Sequence, residues 1–308
     1  MNIYHSLDSF EKLEYGVVTS GTFDGVHLGH KKILSRLREI STQSGGETVV
    51  LTFWPHPRTV VSDDSQSLQL LSTIDEKIEL FSELGIQHLA IVPFTRGFSE
   101  LSSHEFIQQI LVDKIGTKKL VIGYDHRFGR NREGSFDFLQ ENCSAYGFEV
   151  EEIPREDIEN MGISSSRIRK ALVTGHIDEA NELLGRPYNL SGTVVKGKQL
   201  GRTIGFPTAN VHAHESYKLV PMNGVYVIYA THNGVKYKGM LNIGVRPTVD
   251  GTMRTIEAHL FDFDQEIYGE DLQLELLHYL RPEQKFDSLD MLVKQINVDQ
   301  ANSLAYFS

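Results

Sequence analysis

Tyr15 to Ile40 reads YGVVTSGTFDGVHLGHKKILSRLREI. Its first part, GVVTS (16–20), is a short apolar run rich in β-branched residues, the mark of a buried strand. Its last part, continued by Ser41, places Ile33, Leu34, Leu37 and Ile40 on one face of a helix. Between them runs a bend containing Gly21, Gly25 and Gly29, and in that bend stand His27 and His30. A strand, a glycine-rich turn and a helix N-terminus together make an anion site. The first N–H groups of the helix lack partners, and the macrodipole adds about half a positive charge there. Glycines let the backbone approach a phosphate, and imidazole N–H groups can reach its oxygens. The pattern is neither the dinucleotide G-x-G-x-x-G nor the P-loop, which ends in Gly-Lys-Ser/Thr. On spacing alone, H-x-x-H also suits two polar turn residues.

Outward from this stretch the same rhythm repeats. TVVLTF (48–53), HLAIVPF, KLVIGYD and FEVEEIP read as strands, and the segments between them as helices. TIDEKIELFSELG carries a Thr73 N-cap, Glu76 at the capping-box position and Gly85 as a stop. SSHEFIQQILVDKIG and GSFDFLQENCSAYG read as two more helices. Repeated β-α-β units with near-continuous apolar strands predict a parallel sheet covered on both faces. SSSRIRKALVTGHIDEANELLGRPY is expected to be helical to Leu184, where Gly185-Arg186-Pro187 breaks it. Closely spaced strands follow: LSGTVVKG, then VYVIYATHNGVKYKGML with its Asn233-Gly234 hairpin signal, then RTIEAHLFDF and DLQLELLHYLR. A last helix lies in SLDMLVKQINVDQANSLAYF. The second half is thus expected to be a small antiparallel barrel with a C-terminal helix. The boundary is placed near 184–187, giving domains 1–184 and 185–308.

A chain of 308 residues suits one large or two ordinary domains. The net charge of -11 argues against a nucleic-acid binder, which needs a basic face, but not against small anionic ligands. Cys143 is the one cysteine, so no disulfide framework forms within the chain and a reducing, cytoplasmic setting is expected. MNIYHSLDSFEKLEYG has no basic and apolar leader pattern, and no apolar run approaches the ~20 residues of a membrane span.

Two more polar stretches extend the anion site. GISSSRIRKAL sets Ser164, Ser165 and Ser166 before a helix carrying Arg167 and Arg169, which suits a polyphosphate but equally an N-cap with a solvated basic face. GYDHRFGRNREG (123–134) follows a strand. Ligands of parallel sheets bind beyond the strands' carboxyl ends, where Asp125, Arg127, Phe128 and Asn131 are expected to project. In the second half, GRTIGFPTANV (201–211) offers Thr208 and Asn210, neutral oxygens on one side of an extended chain, which suits Mg²⁺ beside a nucleotide phosphate. TIEAHLFDFD alternates. Ile256, Ala258 and Leu260 share one face, while Glu257 and His259 share the other, where a carboxylate could take a proton from an attacking hydroxyl or simply face water.

TFDGVHLGH, GYDHRFGRNREG and ISSSRIR, in this order, resemble the adenylyltransferase module of the prokaryotic bifunctional riboflavin kinase/FAD synthetases. GRTIGFPTAN, NGVYVIYA, NIGVRPT, IEAHLFDF and IYG resemble the riboflavin kinase module of the same family. The resemblance implies a Rossmann-like nucleotidyltransferase domain followed by a riboflavin kinase barrel, acting on riboflavin, FMN and ATP with Mg²⁺. It implies that Gly21, Phe23, Asp24, Gly25, His27 and His30 bind ATP, with His27 and His30 as catalytic contacts to its phosphates and Ser164 to Ser166, Arg167 and Arg169 clamping them. Asp125, Arg127, Phe128 and Asn131 would line the FMN side. Where the family usually reads D-F-R-F-G, this chain has His126. In the kinase module Gly201, Arg202, Gly205, Phe206, Pro207, Thr208, Asn210 and Arg246 would surround nucleotide and flavin. Thr208 and Asn210 would engage the metal, and Glu257 would be the base. An adenylyltransferase for another phosphate monoester would not need the barrel, and a flavin carrier would not need both phosphate loops.

Overall fold

The computed structural model describes residues 1–61, 68–153, 162–197, 199–248 and 251–308. The chain divides by packing into two compact units, Met1–Ser164 and Ser165–Ser308.

The first unit is built on a six-stranded sheet in the order β1-β4-β3-β2-β5-β6, every neighbouring pair parallel. The strands are β1 (Asn2–Tyr4), β2 (Gly16–Ser20), β3 (Glu47–Trp54), β4 (His88–Pro93), β5 (Thr117–Gly123) and β6 (Glu149–Ile153). β1 was not legible in the polar N-terminal stretch. It is a three-residue edge strand paired with β4, Ile3 opposite Leu89, and the Tyr4 hydroxyl lies 3.2 Å from Nδ1 of His88. From β2 the chain steps outward through β3 and β4, then returns to lay β5 on the other side of β2. This is the doubly wound order, and it puts the switch point between β2 and β5. Alternate residues of each strand serve opposite faces. Val17, Val50 and Val121 pack with Leu34, Leu37 and Phe81 from the helices Leu28–Ser44 and Ile74–Glu83. Val18, Val49 and Leu120 pack with Ile107, Leu111 and Leu139 on the opposite side. Both faces are covered, which is why the strands read as unbroken apolar runs. The Thr73–Glu76 capping box forms as expected. The stretch after Ser102 differs from a plain α-helix: a short α-turn, Ser103–Glu105, runs into a π-helix, Phe106–Ile115, ending at Gly116 with φ +80°.

The second unit opens with two helices rather than one, Ser165–Val173 and Ile177–Leu184. Gly175, at φ +81°, breaks them. The second of these helices is fastened to the barrel: Asn181 donates to the Leu276 carbonyl at 2.8 Å and accepts from Tyr188 N–H at 2.7 Å. The helical pair therefore packs with the barrel, although the composition shift falls at Gly185-Pro187. Six antiparallel strands close that barrel in the order β10-β11-β8-β7-β12-β9. They are β7 (Tyr188–Val195), β8 (Ala209–Ala213), β9 (Gly224–His232), β10 (Val235–Thr248), β11 (Gly251–Leu260) and β12 (Asp271–Arg281), and the helix Leu289–Tyr306 follows. Strict alternation of buried and part-exposed residues along β7 marks which side chains fill it.

Candidate functional sites

In the first unit the turn after β2 and the loop after β5 rise at the two strands that flank the switch point. Their bases are joined: Ser20 Oγ and His126 Nε2 share a hydrogen bond of 3.2 Å. The turn is unusual backbone. Phe23, Gly25 and Val26 all have positive φ, at 47°, 87° and 39°. Only glycine takes that region freely, and a β-branched valine there is strained, a condition that persists where surrounding packing over-determines it. The packing is evident. Phe23 and Val26 are buried, with Phe23 edge-on to Phe81 at 5.7 Å.

His27 caps the helix Leu28–Ser44. Its Nδ1 accepts the His30 backbone N–H at 3.3 Å. A nitrogen that accepts carries no proton, so neutral His27 is protonated on Nε2, the donor a phosphate oxygen can use. The two rings stack with centroids 3.6 Å apart. Burial first, then the neighbouring charges of His27 and Lys77, hold the His30 imidazole well below its ordinary value. Its Nδ1 is buried with no hydrogen-bond partner among the described residues. Asp24 is 2% exposed and accepts the backbone N–H groups of Leu71 and Ser72. It ties the turn to the residues just before the helix Ile74–Glu83. Lys77, 3% exposed on that helix, donates to the Thr22 carbonyl at 3.1 Å. Sequence reasoning passed over Lys77, yet a signal existed. It stands four residues before Phe81, in the apolar stripe.

The loop after β5 is partly as expected. Asp125, Arg127 and Asn131 are exposed along it. Phe128 does not project. It is buried against Phe106, 5.5 Å between centroids, and bridges to Gly134, where a Cβ would collide with its ring at 2.6 Å. An aromatic ring gains more in that core than on an exposed loop. His126 stacks beside it, and burial together with Arg132 lowers its imidazole to about 4. Ser164 closes the first unit, and Ser165, Ser166, Arg167 and Arg169 lie on the first helix of the second, where Arg167 pairs with Glu179 at 2.7 Å.

In the barrel the register brings the expected residues together. Glu257 of β11 sits opposite Asn210 of β8 on one side and Asn242 of β10 on the other. Glu257, Thr208, Asn210, Gly201 and Phe206 line one cavity of about 260 Å³, closed by residues such as Ile296 and Asp299 of the C-terminal helix. A second cavity, of about 240 Å³, is lined by Arg202, Pro207, Ala258, Leu260 and Tyr268. Thr208 belongs to both. The alternation of β11 thus separates the two spaces: Glu257 and His259 face the first, Ala258 and Leu260 the second. Two glycines allow the close packing. A Cβ on Gly201 would lie 2.1 Å from the Phe206 carbonyl, and one on Gly197 would lie 2.4 Å from Asn210 Nδ2. Gly205 turns the chain at φ +86°. His259 Nδ1 lies 2.7 Å from the Pro207 carbonyl and holds the PTAN segment against β11. Arg246 pairs in register with Met253, and its side chain lies outside the described residues. Asn242 and the Arg281–Asp299 ion pair (2.6 Å), which line the same cavity as Glu257, were missed. Asn242 was findable as the one polar residue in MLNIG, directly across from Glu257.

A doubly wound sheet with a histidine turn at its switch point, and a barrel whose Glu257 lines one of two adjoining cavities, fit a transferase with two separate sites. The family model for FAD synthetase matches residues 9–167, and that for riboflavin kinase matches residues 184–307. The chain belongs to the family of bifunctional riboflavin kinase/FMN adenylyltransferases. It is 38% identical over 293 residues to the one from Listeria monocytogenes, 95% of this chain and 92% of that protein. It is 37% identical to the Haemophilus influenzae protein of the same name over the whole of both chains. A crystal structure from Streptococcus pneumoniae, named a macrolide-efflux protein, superposes with a TM-score of 0.89 at 31% identity, covering 98% of this chain and 97% of that one. Among the described residues no helix of this chain is long and apolar enough to cross a membrane.

Proposed function

We propose that Glu257 is the general base that prepares the ribityl 5′-hydroxyl of riboflavin, and that the His27–His30 turn binds the triphosphate of the ATP that adenylylates FMN. The chain phosphorylates riboflavin to FMN and converts FMN to FAD. In the first reaction the 5′-oxygen attacks the γ-phosphorus, its proton passes to a carboxylate, and ADP leaves. In the second an FMN phosphate oxygen attacks the α-phosphorus and pyrophosphate leaves. Both reactions need positioned donors more than covalent chemistry.

The observation that carries the kinase reading is the position of Thr208 on the wall between two cavities, with Glu257 on one side and Arg202 on the other. The Glu257 cavity suits the flavin, being lined by Phe206, Leu241, Phe286 and Ile296, and the Arg202 cavity suits the nucleotide. Thr208 and Asn210 share the Glu257 cavity and offer neutral oxygens, a donor set that suits Mg²⁺ alongside substrate phosphates. Bound there, Mg²⁺ would neutralise phosphate charge. The reading is further supported by the two compact units, Met1–Ser164 with the histidine turn and Ser165–Ser308 with Glu257; we propose that residues 165–184 belong by function with the first, giving domains 1–184 and 185–308. By resemblance, Ser164–Ser166, Arg167 and Arg169 join the ATP grip, Asp125, Arg127 and Asn131 serve FMN, and the enzyme works in the cytoplasm.

Separate assays on the full chain test this. Glu257→Gln is expected to cut FMN formation by about 10²–10⁴-fold and to leave FAD formation from supplied FMN intact. His27→Ala and His30→Ala are expected to do the reverse, by about 10²–10³-fold. Loss of both activities in a folded variant would overturn the two-site assignment.

A further inference from the structure

Lys77 occupies a place where a lysine is expensive. It stands in the first turn of the helix Ile74–Glu83, the positive end of that helix's dipole, and it is 3% exposed. Both burial and dipole disfavour an ammonium there. A leucine or methionine would fill the stripe beside Ile78 and Phe81 with neither penalty. The charge is instead kept and answered. The Nζ donates to the Thr22 carbonyl at 3.1 Å, inside the turn that follows β2. The Asp24 carboxylate supplies the opposing charge and is itself pinned by the Leu71 and Ser72 amides at 2.9 and 3.1 Å. Lys77 is also close enough to His30 to act on its protonation.

We propose that Lys77 is a positioning residue for adenylyl transfer: a buried cation behind the turn that fixes the Thr22 carbonyl and the Asp24 carboxylate and lends its charge to a triphosphate held by His27 and His30. This role rests on the reading of that turn as the ATP site. Three features support it together. The turn is strained at Phe23 and Val26 and needs an outside restraint. The restraint comes from a charged group where a neutral one would be cheaper. The charge lies behind the face that takes the anion, in a low-dielectric setting where a fixed cation acts strongly. Among the described residues, the titratable groups that act on the ensemble are His27 and His30 from the turn and the helix after it, Asp24 from the turn, and Lys77 from the helix Ile74–Glu83. Burial, partly offset by Asp24, brings the Lys77 ammonium down to about 8.

The test uses the full chain and both activities. Lys77→Met is expected to lower kcat/KM for ATP in FAD formation by about 10–100-fold and to leave FMN formation unchanged. Lys77→Arg, which keeps the charge, should recover part of the loss. In the unmodified enzyme kcat/KM for FAD formation should fall as pH rises through about 8, a limb absent from FMN formation and from Lys77→Met. A purely structural lysine would not give that limb. If Lys77→Met fails to fold, the limb in the unmodified enzyme decides. A profile flat from pH 7 to beyond the ordinary lysine value of 10.5, or a folded Lys77→Met with more than half the activity, overturns the role. His27→Ala and His30→Ala run alongside. If they too keep full FAD formation, the ATP assignment of the turn falls. If they lose it while Lys77→Met does not, only the role of Lys77 falls.

Discussion

The imidazoles of His27 and His30 lie nearly parallel, 16° between planes and 3.6 Å between centroids, with the backbone N–H of His30 donating to Nδ1 of His27. Two positive charges at that separation would repel by about 4–5 kcal/mol at an effective dielectric of about 20. The pair is therefore held at no more than one charge, and burial singles out His30 as the neutral member. A histidine-selective NMR titration should find His30 titrating well below the ordinary histidine range. Replacing His27 by alanine should raise His30 only part of the way, because burial and Lys77 remain. A His30 resonance titrating at 6.5 or above would contradict the stacked, desolvated arrangement.

His126 makes the first unit sensitive to acid. Its imidazole sits near 4 in the folded chain against 6.5 in the unfolded one. Between those values the unfolded chain binds a proton that the folded one does not, so stability falls as pH drops through the window. At pH 5 the loss from this group is about 2 kcal/mol at most. His30 contributes with the same sign. Trp54 is the single tryptophan and lies in β3, so its fluorescence reports on the first unit. Urea midpoints followed by Trp54 should fall from pH 7.5 to pH 5, and less so in His126→Phe. Equal falls in the two proteins would remove His126 from the account.

Lys77 acts on stability in the opposite pH range. Its folded value of about 8 lies below the ordinary lysine value of 10.5. Between these the unfolded chain again holds the extra proton, so stability rises with pH through the window. From pH 7.5 to 9.5 the gain amounts to about 2 kcal/mol. The same Trp54 urea curves, taken at those two pH values, should show the gain in the unmodified chain and lose it in Lys77→Met. An identical gain in both would mean that another group carries it.

The two architectures were legible because periodicity states them directly. β2, β3 and β4 are apolar runs bounded by turns, and β7 and β11 alternate. The phosphate turn was legible because glycines and histidines cluster between a strand and a helix. What stayed hidden depends on contacts between distant segments. Phe128 reads as a loop residue until Gly134 is folded against it. Lys77 shows from helix phase only that it falls in the apolar stripe; its contact with the Thr22 carbonyl needs the fold. Asn242 gains its meaning from register with Glu257. The pause at Gly175 was lost because the flanking residues share one helical pattern. Edge strand β1 has no pattern of its own, since its partner alone defines it.

Gly197 offers a direct probe of the kinase site. It carries no chemistry, yet a methyl group on its Cα would sit 2.4 Å from Nδ2 and 2.7 Å from Cγ of Asn210. Real side chains do not tolerate that approach, so Asn210 must turn away in Gly197→Ala. Asn210 is the register partner of Glu257 and shares its cavity with Thr208. Moving it disturbs an oxygen proposed for the metal without touching the base. A displacement of about 1 Å at such a position can cost about 10²-fold. FMN formation should therefore fall by about 10–100-fold and need more Mg²⁺ for half-maximal rate, while FAD formation from supplied FMN stays unchanged. Glu257→Gln should instead lose rate at every Mg²⁺ concentration, because it removes the proton acceptor and leaves the oxygens in place. If Gly197→Ala loses rate with no change in its Mg²⁺ requirement, Asn210 is not a metal contact. If it keeps full rate, Asn210 has no part in the reaction.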